Sequence, residues 1–309
     1  MNETVKIACV TGSGTSAELM ASAVFALDEC ARLHGLQLDD RHVSFGGVAF
    51  AWTAQTVPVA TRATILDADA VLVAGAEEPA LAEVMSELDL RAQVTRVRFG
   101  HRDDVAFVFP LADSSAEWAV DKAFEIAEQR SLRIAVVGDE DWSDLADAIA
   151  LEHEHVHVEH VSPKVAIPLA AFNAGRFDVV LVDRPWAEAM TEIAAAPATS
   201  RVAAHGLLGE HGPSLFVPSP DGGASLADHG VVNPSSMLLA AAMMLEHGLG
   251  AVSAGWTLAG AVSAALVDGP HTPDLLRRGA GATTAEFTKR VVGGFQLAYA
   301  NAEFWPGAA

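Results

Sequence analysis

A run of alternating histidines is the stretch of this sequence whose residue types most directly suggest chemistry. Glu152–His160 reads EHEHVHVEH, and in a β-strand this alternation places His153, His155 and His157 on one face. Imidazoles at that spacing could bind zinc or copper, or titrate as a pH switch. The opposite face is polar as well, for which a solvated edge strand is the usual outcome, and metal binding is the alternative.

A glycine-rich turn near the N-terminus is a second candidate. Lys6–Val10 is β-branched and apolar, and it predicts a strand that ends at the turn Gly12-Ser13-Gly14. Such a turn after a strand can hold the phosphates of a dinucleotide. The third glycine of that pattern is missing here, so the turn alone is weak support for a cofactor.

The elements that position these residues alternate short apolar strands with amphipathic helices, which is the pattern of an α/β fold. The predicted strands are Lys6–Val10, His42–Phe45, Ala70–Val73, Asp104–Phe109, Arg133–Val137, Val156–Val161 and Val179–Val182. The predicted helices are Glu18–His34, Val59–Asp67, Pro79–Leu88, Ser114–Arg130, Trp186–Ala195, Ser235–Glu246, Ala251–Val267 and Ala285–Tyr299.

The composition excludes several classes of protein. With 309 residues and 51% hydrophobic content, the chain can build a sizeable core. Its net charge of −21 repels phosphate backbones and anionic lipid, so neither nucleic acid nor a membrane is an expected partner. Cys9 and Cys30 lie in apolar segments and are expected to be buried thiols of a reduced, cytoplasmic protein. Gly248–Val267 carries no charge, but its small residues favour a packed helix over a membrane span.

One block of the sequence resembles a known enzyme family. Leu226–Gly250, with its Asn233-Pro234 pair and the run AAAMMLEHG, resembles the β-decarboxylating dehydrogenases, which include isopropylmalate, isocitrate and tartrate dehydrogenases. Further matches follow in the family's order at Lys6–Glu18, Phe45-Gly46-Gly47, Phe177–Val180 and Thr284–Val292. The resemblance covers nearly the whole chain and implies a strongly diverged member of this family.

The resemblance implies the α/β, isopropylmalate/isocitrate dehydrogenase-like fold with two interwoven domains and a shortened or missing clasp arm. Residues 1–97 plus 233–309 are predicted to form the cofactor-side domain, and residues 98–232 the dimerisation and metal-side domain. A homodimer is implied as well. The charge-free helix Ala251–Val267 supports an interface, since apolar residues all round a helix imply burial on several sides.

The reaction that the resemblance implies is the NAD- and divalent-metal-dependent oxidative decarboxylation of a small 2-hydroxy acid, with Mg²⁺ or Mn²⁺ as the metal. Two metal-binding aspartates of the family correspond here to Glu188 and Glu192, whose spacing puts both carboxylates on one helical face. The third aspartate, donated by the partner subunit, corresponds to Lys164. Either the glutamates are merely solvated, or Lys164 pairs with one of them across the dimer and its charge stands in for the metal.

The family's proton-handling lysine and tyrosine are not found. The only tyrosine is Tyr299 in the last predicted helix, and the tyrosine region of the family reads Phe109–Asp113 here. The lysine motif corresponds roughly to Val137–Glu140, which contains no lysine. The acid–base groups of the ancestral reaction are therefore missing.

The binding residues of the family are partly kept. Arg91 and Arg98 resemble its first two substrate arginines, and the alternative is that they are ordinary surface cations on a strand or turn. In the cofactor loop, Ser225 replaces the aspartate that would hold the ribose, and Asn233 resembles the adenine-contacting position or forms a helix-entry turn. The predicted contacts with NAD are Gly222, Gly223, Ser225, Leu226 and Asn233.

Two classes of function remain open. The first is a diverged enzyme that acts on a small hydroxy or keto acid, for example by decarboxylation alone. The second is a non-catalytic ligand-binding, regulatory or partner subunit. The lost groups favour alteration or loss of the ancestral reaction, and NAD or metal binding rests on the family resemblance alone.

Overall fold

The computed structural model describes residues 4–75, 79–99, 103–195, 201–219, 226–276 and 281–302. Its contacts divide the chain into two units. Unit 1 contains Met1–Leu90 and Ala204–Glu303, and unit 2 contains Arg91–Ala203. The chain therefore leaves unit 1 and returns to it, as the predicted interwoven domains require.

Strands and helices alternate along most of the described chain. The strands are β1 (Thr4–Thr11), β2 (Gln37–Ser44), β3 (Ala70–Ala74), β4 (Asp89–Phe99), β5 (Asp103–Pro110), β6 (Arg133–Val137), β7 (His157–His160), β8 (Val179–Val182), β9 (Arg201–His211) and β10 (Ser214–Pro218). The helices are α1 (Ser16–His34), α2 (Gly46–Thr53), α3 (Val59–Leu66), α4 (Ala80–Met85), α5 (Ala116–Glu128), α6 (Glu140–Ala150), α7 (Pro163–Phe172), α8 (Arg184–Ala195), α9 (Ser235–Met243), α10 (Val252–Asp268), α11 (Thr284–Gly293) and α12 (Phe295–Ala302).

The strands of unit 1 form a mostly parallel sheet in the order β2-β1-β3-β10-β9, in which β9 is antiparallel to β10. Every residue of β3 and β10 is buried, as expected for central parallel strands covered on both faces. β2 is an edge strand with exposed and half-buried positions. Cys9 and Cys30 are free buried thiols, and burial raises the pKa of each to about 12.

The strands of unit 2 follow the order β4-β5-β8-β6-β7. β4 and β5 form an antiparallel pair, whereas β5, β8, β6 and β7 run parallel to one another. The core contains Phe107, Val180 and Val182, with Ala166 of α7 and Met190 of α8 packed in the same apolar cluster. The carboxyl ends of four parallel strands therefore meet at one edge of this sheet.

The predicted domain boundaries differ from these units in the placement of residues 91–97 and 204–232. Ser214 of β10 pairs with Ala70 of β3, so β10 is hydrogen-bonded into the sheet of unit 1. The sequence analysis identified neither β9 nor β10 as a strand. The pairing of β10 with β3 is the physical reason why residues 204–232 belong to unit 1.

Two long helices differ from their predicted form. The helix predicted for Ser235–Glu246 ends as α9 at Met243 and continues into a π-helical turn, Met244–Gly248. The helix predicted for Ala285–Tyr299 is broken at Gly294 into α11 and α12. No helix in the described ranges is long and apolar enough to span a membrane.

The charge-free helix α10 is enclosed by its own unit. It packs against α1, α9, α11 and α12, and none of its positions before Asp268 is exposed. The sequence analysis attributed the burial of this helix to a subunit interface. The helices of unit 1 provide that burial instead. The helix gives no support to the homodimer, which stays a prediction.

Candidate functional site

The carboxyl edge of the parallel strands of unit 2 collects charged residues from four successive connections. Asp113 follows β5, Asp139 follows β6, Lys164 follows β7 and Asp183 follows β8 directly. Ligands of open α/β sheets bind outside the carboxyl ends of the strands. This edge is therefore the candidate site of unit 2.

Asp183 and Asp139 lie beside each other at this edge. The backbone N–H of Asp183 donates to the carbonyl of Val137, at 2.8 Å, which holds the end of β8 against the end of β6. Burial raises the pKa of Asp183, and the neighbouring charge of Asp139 raises it further. The backbone N–H of Arg184 donates to the Asp183 carboxyl group and opposes part of that shift.

Asp139 has a second, structural task. It is the N-cap of α6, where its Oδ1 accepts a hydrogen bond from the backbone N–H of Trp142 at 3.0 Å. This capping satisfies one of the free N–H groups in the first turn of the helix. The carboxylate is thus positioned by the helix start that follows Gly138.

Two further charges flank the edge on the solvent side. The Nη1 group of Arg184 lies 3.0 Å from the Oδ1 atom of Asp113, and both side chains are largely exposed. An exposed ion pair of this kind contributes about 0–1 kcal/mol to stability, so Arg184 is easily available to an anionic ligand.

The predicted metal residues lie on α7 and α8, which pack against each other in unit 2. Lys164 is the second residue of α7, and Glu188 and Glu192 are one turn apart on α8. All three side chains are exposed, and none has a hydrogen bond or ion pair within the described part of the chain. The structure therefore leaves their predicted roles in metal binding and catalysis as predictions.

A different group has the geometry of a metal site. Within the described ranges, Asp89, Glu210 and His211 of unit 1 form the one set of three potential ligands whose ligand atoms lie within 4.8 Å of one another. Sequence analysis did not single them out. Only the folded chain brings these three residues together, because β4 and β9 are far apart in the sequence.

The predicted substrate arginine Arg98 is buried. Its Nη1 lies 2.9 Å from Oδ2 of Asp104, and Nη2 of Arg96 lies 2.6 Å from the same oxygen. Arg130 contributes a third guanidinium at 3.6 Å from Oδ1. Burial alone would raise the pKa of Asp104, but the three arginines hold it well below its usual range. The interpretation of Arg98 as a surface cation is therefore wrong, and its ion pairing competes with a substrate role.

Arg91 differs from Arg98 in being half-buried. Its carbonyl oxygen accepts hydrogen bonds from the Leu111 N–H at 2.8 Å and the Ser115 hydroxyl at 2.7 Å. These contacts fix the start of the β4 segment against the chain that follows β5. They involve its backbone, so the predicted substrate contact of its side chain stays a prediction.

The predicted histidine strand is corrected. β7 contains only His157–His160, whereas His153 and His155 lie in the turn before it. The cause is the end of α6, since the His153 N–H still donates to the carbonyl of Ala150 at 3.1 Å. The three histidines therefore do not share one face of a strand.

His153 has its own carboxylate partners. Its Nδ1 lies 2.8 Å from Glu128 and its Nε2 lies 3.1 Å from Asp121, while its ring stacks on Phe124 at 5.2 Å. Burial alone would lower its pKa, but the two hydrogen-bonded carboxylates raise it. His153 therefore links this turn to α5 through two carboxylates.

The predicted cofactor residues fall in unit 1. Gly222, Gly223 and Ser225 lie outside the described residues, and Leu226 is exposed. The side chain of Asn233 accepts from the Ser235 N–H at 3.0 Å and donates to Asp274 at 2.9 Å. This is the helix-entry role that the sequence left open, and contact with adenine stays a prediction.

The sequence comparisons extend over almost the whole chain. A family model described as isocitrate/isopropylmalate dehydrogenase matches residues 139–291. The 3-isopropylmalate dehydrogenase of Bacillus cereus is 27% identical, with 93% of this chain and 96% of that protein covered. The 3-isopropylmalate dehydrogenase of Streptococcus thermophilus is 26% identical, with 94% and 99% covered.

Solved structures show the same fold. A β-decarboxylating dehydrogenase from Thermococcus kodakarensis superimposes with a TM-score of 0.80 at 21% identity, covering 97% of this chain and 99% of that one. Isocitrate dehydrogenase from Methylococcus capsulatus gives a TM-score of 0.76 at 20% identity, covering 94% and 99%. These findings confirm the resemblance and the fold class that the sequence predicted. In sequence and in fold, the chain is similar to the β-decarboxylating dehydrogenases and strongly diverged from them.

Proposed function

We propose that this chain uses the dehydrogenase fold to bind a small carboxylic acid, and that the family's NAD- and metal-dependent oxidative decarboxylation is altered or lost. The observation that carries the proposal is an exchange of charge at the carboxyl edge of unit 2. Asp139 stands in the segment where the family resemblance places a lysine. Lys164 stands where it places an aspartate.

The proton-handling groups support the same proposal. A general acid or base must reach the substrate, but Asp139 is engaged in capping α6. Tyr299 lies on α12 of unit 1, where its ring meets His34 edge-on at 4.9 Å. Neither Asp139 nor Tyr299 therefore takes the proton-handling role of the family's lysine and tyrosine in this proposal.

The donor set does not fit the metal of the family. Mg²⁺ and Mn²⁺ take oxygen ligands, and here two carboxylates, Glu188 and Glu192, are combined with the ammonium group of Lys164. An ammonium group repels a divalent cation. The proposal is that Lys164 of one copy pairs with Glu188 or Glu192 of a second copy in a homodimer and supplies the positive charge itself.

Exposed apolar side chains on α7 and α8 support that dimer. Phe172 is 90% exposed, Val165 52% and Trp186 39%. Large apolar side chains gathered on one pair of packed helices are typical of an interaction surface. The same surface favours the second candidate function, a regulatory or partner subunit in the cytoplasm, in which the second protein is a different chain.

A positive side chain for an anionic ligand is present at the candidate site. Arg184 is exposed at the carboxyl edge, whereas Arg98 is held by Asp104. A guanidinium binds a carboxylate through two parallel hydrogen bonds. Binding of a carboxylic acid therefore does not require the predicted arginines of β4.

The proposal is tested by measuring reaction and binding separately. The purified protein is incubated with NAD, Mg²⁺ or Mn²⁺, and isopropylmalate, isocitrate or tartrate, with the Bacillus cereus relative as the positive control. We expect no NADH from this chain. The same acids without NAD or metal should raise its melting temperature, because a ligand at a hundredfold excess over Kd stabilises the folded state by about 2.7 kcal/mol. Accumulation of NADH would overturn the proposal, and a complete lack of response to acids would leave the partner-subunit function.

A further inference from the structure

A small cavity lies at the amino ends of the parallel strands of unit 2, at the opposite edge of the sheet from the candidate site. Its walls come from β6, from β7 and from the residues around the start of β8. The ionisable side chains of the lining are Arg133, His157, Glu159, Arg176 and Asp178. Three of these five residues are basic, although the whole chain carries a net charge of −21. The cavity therefore concentrates basic groups on an acidic protein.

Two of the basic side chains occupy one position of the sheet. Arg133 and His157 are the first residues of β6 and β7, and they are register partners in the parallel pairing of these strands. Partner positions of parallel strands point to the same face, and the strands lie about 4.8 Å apart, so the guanidinium and the imidazole are neighbours. Both residues are exposed, and in the described part of the chain neither side chain makes a hydrogen bond or an ion pair. Their N–H groups are therefore available to a ligand.

A third basic side chain reaches this face from the connection before β8. Arg176 ends the short helical turn Ala174–Arg176, and its guanidinium forms an ion pair with the carboxylate of Glu159. Glu159 follows His157 by two residues on β7, so both side chains lie on the same face of the strand. The ion pair thus holds Arg176 on the face that carries Arg133 and His157.

The carboxylates of the lining are already engaged. Asp178 accepts a hydrogen bond from Nε of Arg130 at 2.7 Å, and Glu159 is paired with Arg176. No carboxylate in the ranges that the structure describes pairs with Arg133. The cavity therefore has an unmatched guanidinium, and an anion is the group that would neutralise it.

Donors from three separate elements fit a tetrahedral anion better than a planar one. A guanidinium binds a phosphate group through two parallel hydrogen bonds, and an imidazole adds one or two N–H donors. A phosphate group presents three acceptor oxygens in different directions, so that each can accept from a different side chain. The net charge of the chain disfavours a polyanion, whereas a single phosphate group responds to the charges beside it.

We propose that Arg133, His157 and Arg176 form a binding site for one phosphate group, which is either free inorganic phosphate or the end of a small phosphomonoester. Glu159 acts as a positioning residue, because it holds the Arg176 guanidinium at the cavity. The inference goes beyond the proposed function, since it assigns a second ligand to the edge of the sheet that the carboxylic acid does not use.

The experiment measures the binding of inorganic phosphate and of glycerol 3-phosphate by titration calorimetry at constant ionic strength. We expect the wild type to bind at least one of them, and Arg133→Gln to weaken that binding at least about tenfold, the size of one hydrogen bond to a charged group. Because Arg133 is exposed, this variant should fold normally. His157→Gln removes a donor from the other strand and should weaken the binding as well.

The matched control is Arg32→Gln, because Arg32 is an exposed arginine of unit 1 that is paired with Glu29. This variant should bind phosphate as the wild type does. Phenylglyoxal, which modifies accessible guanidinium groups, locates the site without a mutation. Phosphate should protect Arg133 and Arg176 from the reagent but leave Arg32 reactive.

The outcomes decide both the site and the ligand. Tighter binding of glycerol 3-phosphate supports a phosphomonoester, and equal or tighter binding of inorganic phosphate supports the free ion. A wild type that binds neither up to about 10 mM, an unchanged affinity in Arg133→Gln, or a lack of protection at Arg133 overturns the inference. A loss of phosphate binding in Arg184→Gln also overturns it, because phosphate would then occupy the carboxyl edge. Formation of NADH would overturn the proposed function and leave this site unaffected.

Discussion

Removing the charge of Asp104 should destabilise unit 2 strongly, because one buried carboxylate holds three buried guanidinium groups. The side chains of Arg96, Arg98, Arg130 and Asp104 are 1%, 8%, 6% and 7% exposed. Asp104→Asn preserves the shape of the side chain but leaves these positive charges without their shared counterion. The variant therefore tests the electrostatic part of the cluster.

The magnitude follows from the burial. Breaking a buried ion pair by removing one partner costs about 3–5 kcal/mol, whereas an exposed pair contributes about 0–1 kcal/mol. Asp113→Asn is the matched control, because Asp113 also pairs with an arginine, Arg184, but is 94% exposed. We expect a loss of about 3 kcal/mol or more for Asp104→Asn and less than about 1 kcal/mol for Asp113→Asn.

The assay is urea unfolding followed by circular dichroism at neutral pH, with the free energy extrapolated to water. The pKa of Asp104 is lowered in the folded state, so its stabilisation is fully present above the unfolded value near 3.8 and is lost only as the pH falls through the lower folded value. The difference between wild type and Asp104→Asn should thus shrink in strong acid. Equal losses for the two variants at neutral pH would refute this account of the cluster.

Three further predictions concern single residues. Gly138→Ala should cost about 1–3 kcal/mol in urea unfolding, because its Cβ would lie 2.4 Å from Trp142, whereas Gly47→Ala, which meets no atom within 4 Å, should not destabilise. His153 has a pKa raised above 6.5, so it stabilises the fold below that pH and loses this effect as the pH rises through the raised value. Stability should therefore fall toward alkaline pH more in the wild type than in His153→Gln, and parallel curves would contradict this. Finally, Mg²⁺ should leave the melting temperature of the wild type unchanged but raise that of Lys164→Asp, and a wild-type response would show that Lys164 does not replace the metal.

Continuous apolar runs made most of the fold predictable. Arg133–Val137 and Val179–Val182 were predicted with the bounds that the structure gives, because buried parallel strands are apolar along almost their whole length. The sequence analysis did not predict β4, because its polar residues are typical of a surface segment. Arg98 faces its partner Asp104 because β4 and β5 pair in antiparallel register. The residue pattern along a single strand does not contain this register.

The candidate site was predictable only in part. Glu188 and Glu192 were placed correctly on one helix, because a spacing of four residues is local information. The approach of the Asp183 side chain to Gly138 depends on the neighbouring positions of β8 and β6. Both strand ends were predicted, but their order in the sheet was not, so the residues that follow them were not brought together.

The capping role of Asp139 has a consequence for any attempt to supply the missing lysine. A lysine at this position would remove the cap of α6, at a cost of about 0.5–2 kcal/mol, and would place a cation at the positive end of the helix. The new ammonium group would also lie beside Asp183, which would hold it in an ion pair. A lysine here would therefore exchange a helix cap for an ion pair, because the start of α6 depends on the carboxylate of Asp139. Regaining a lysine at this point of the fold thus requires a second change that caps α6 in another way.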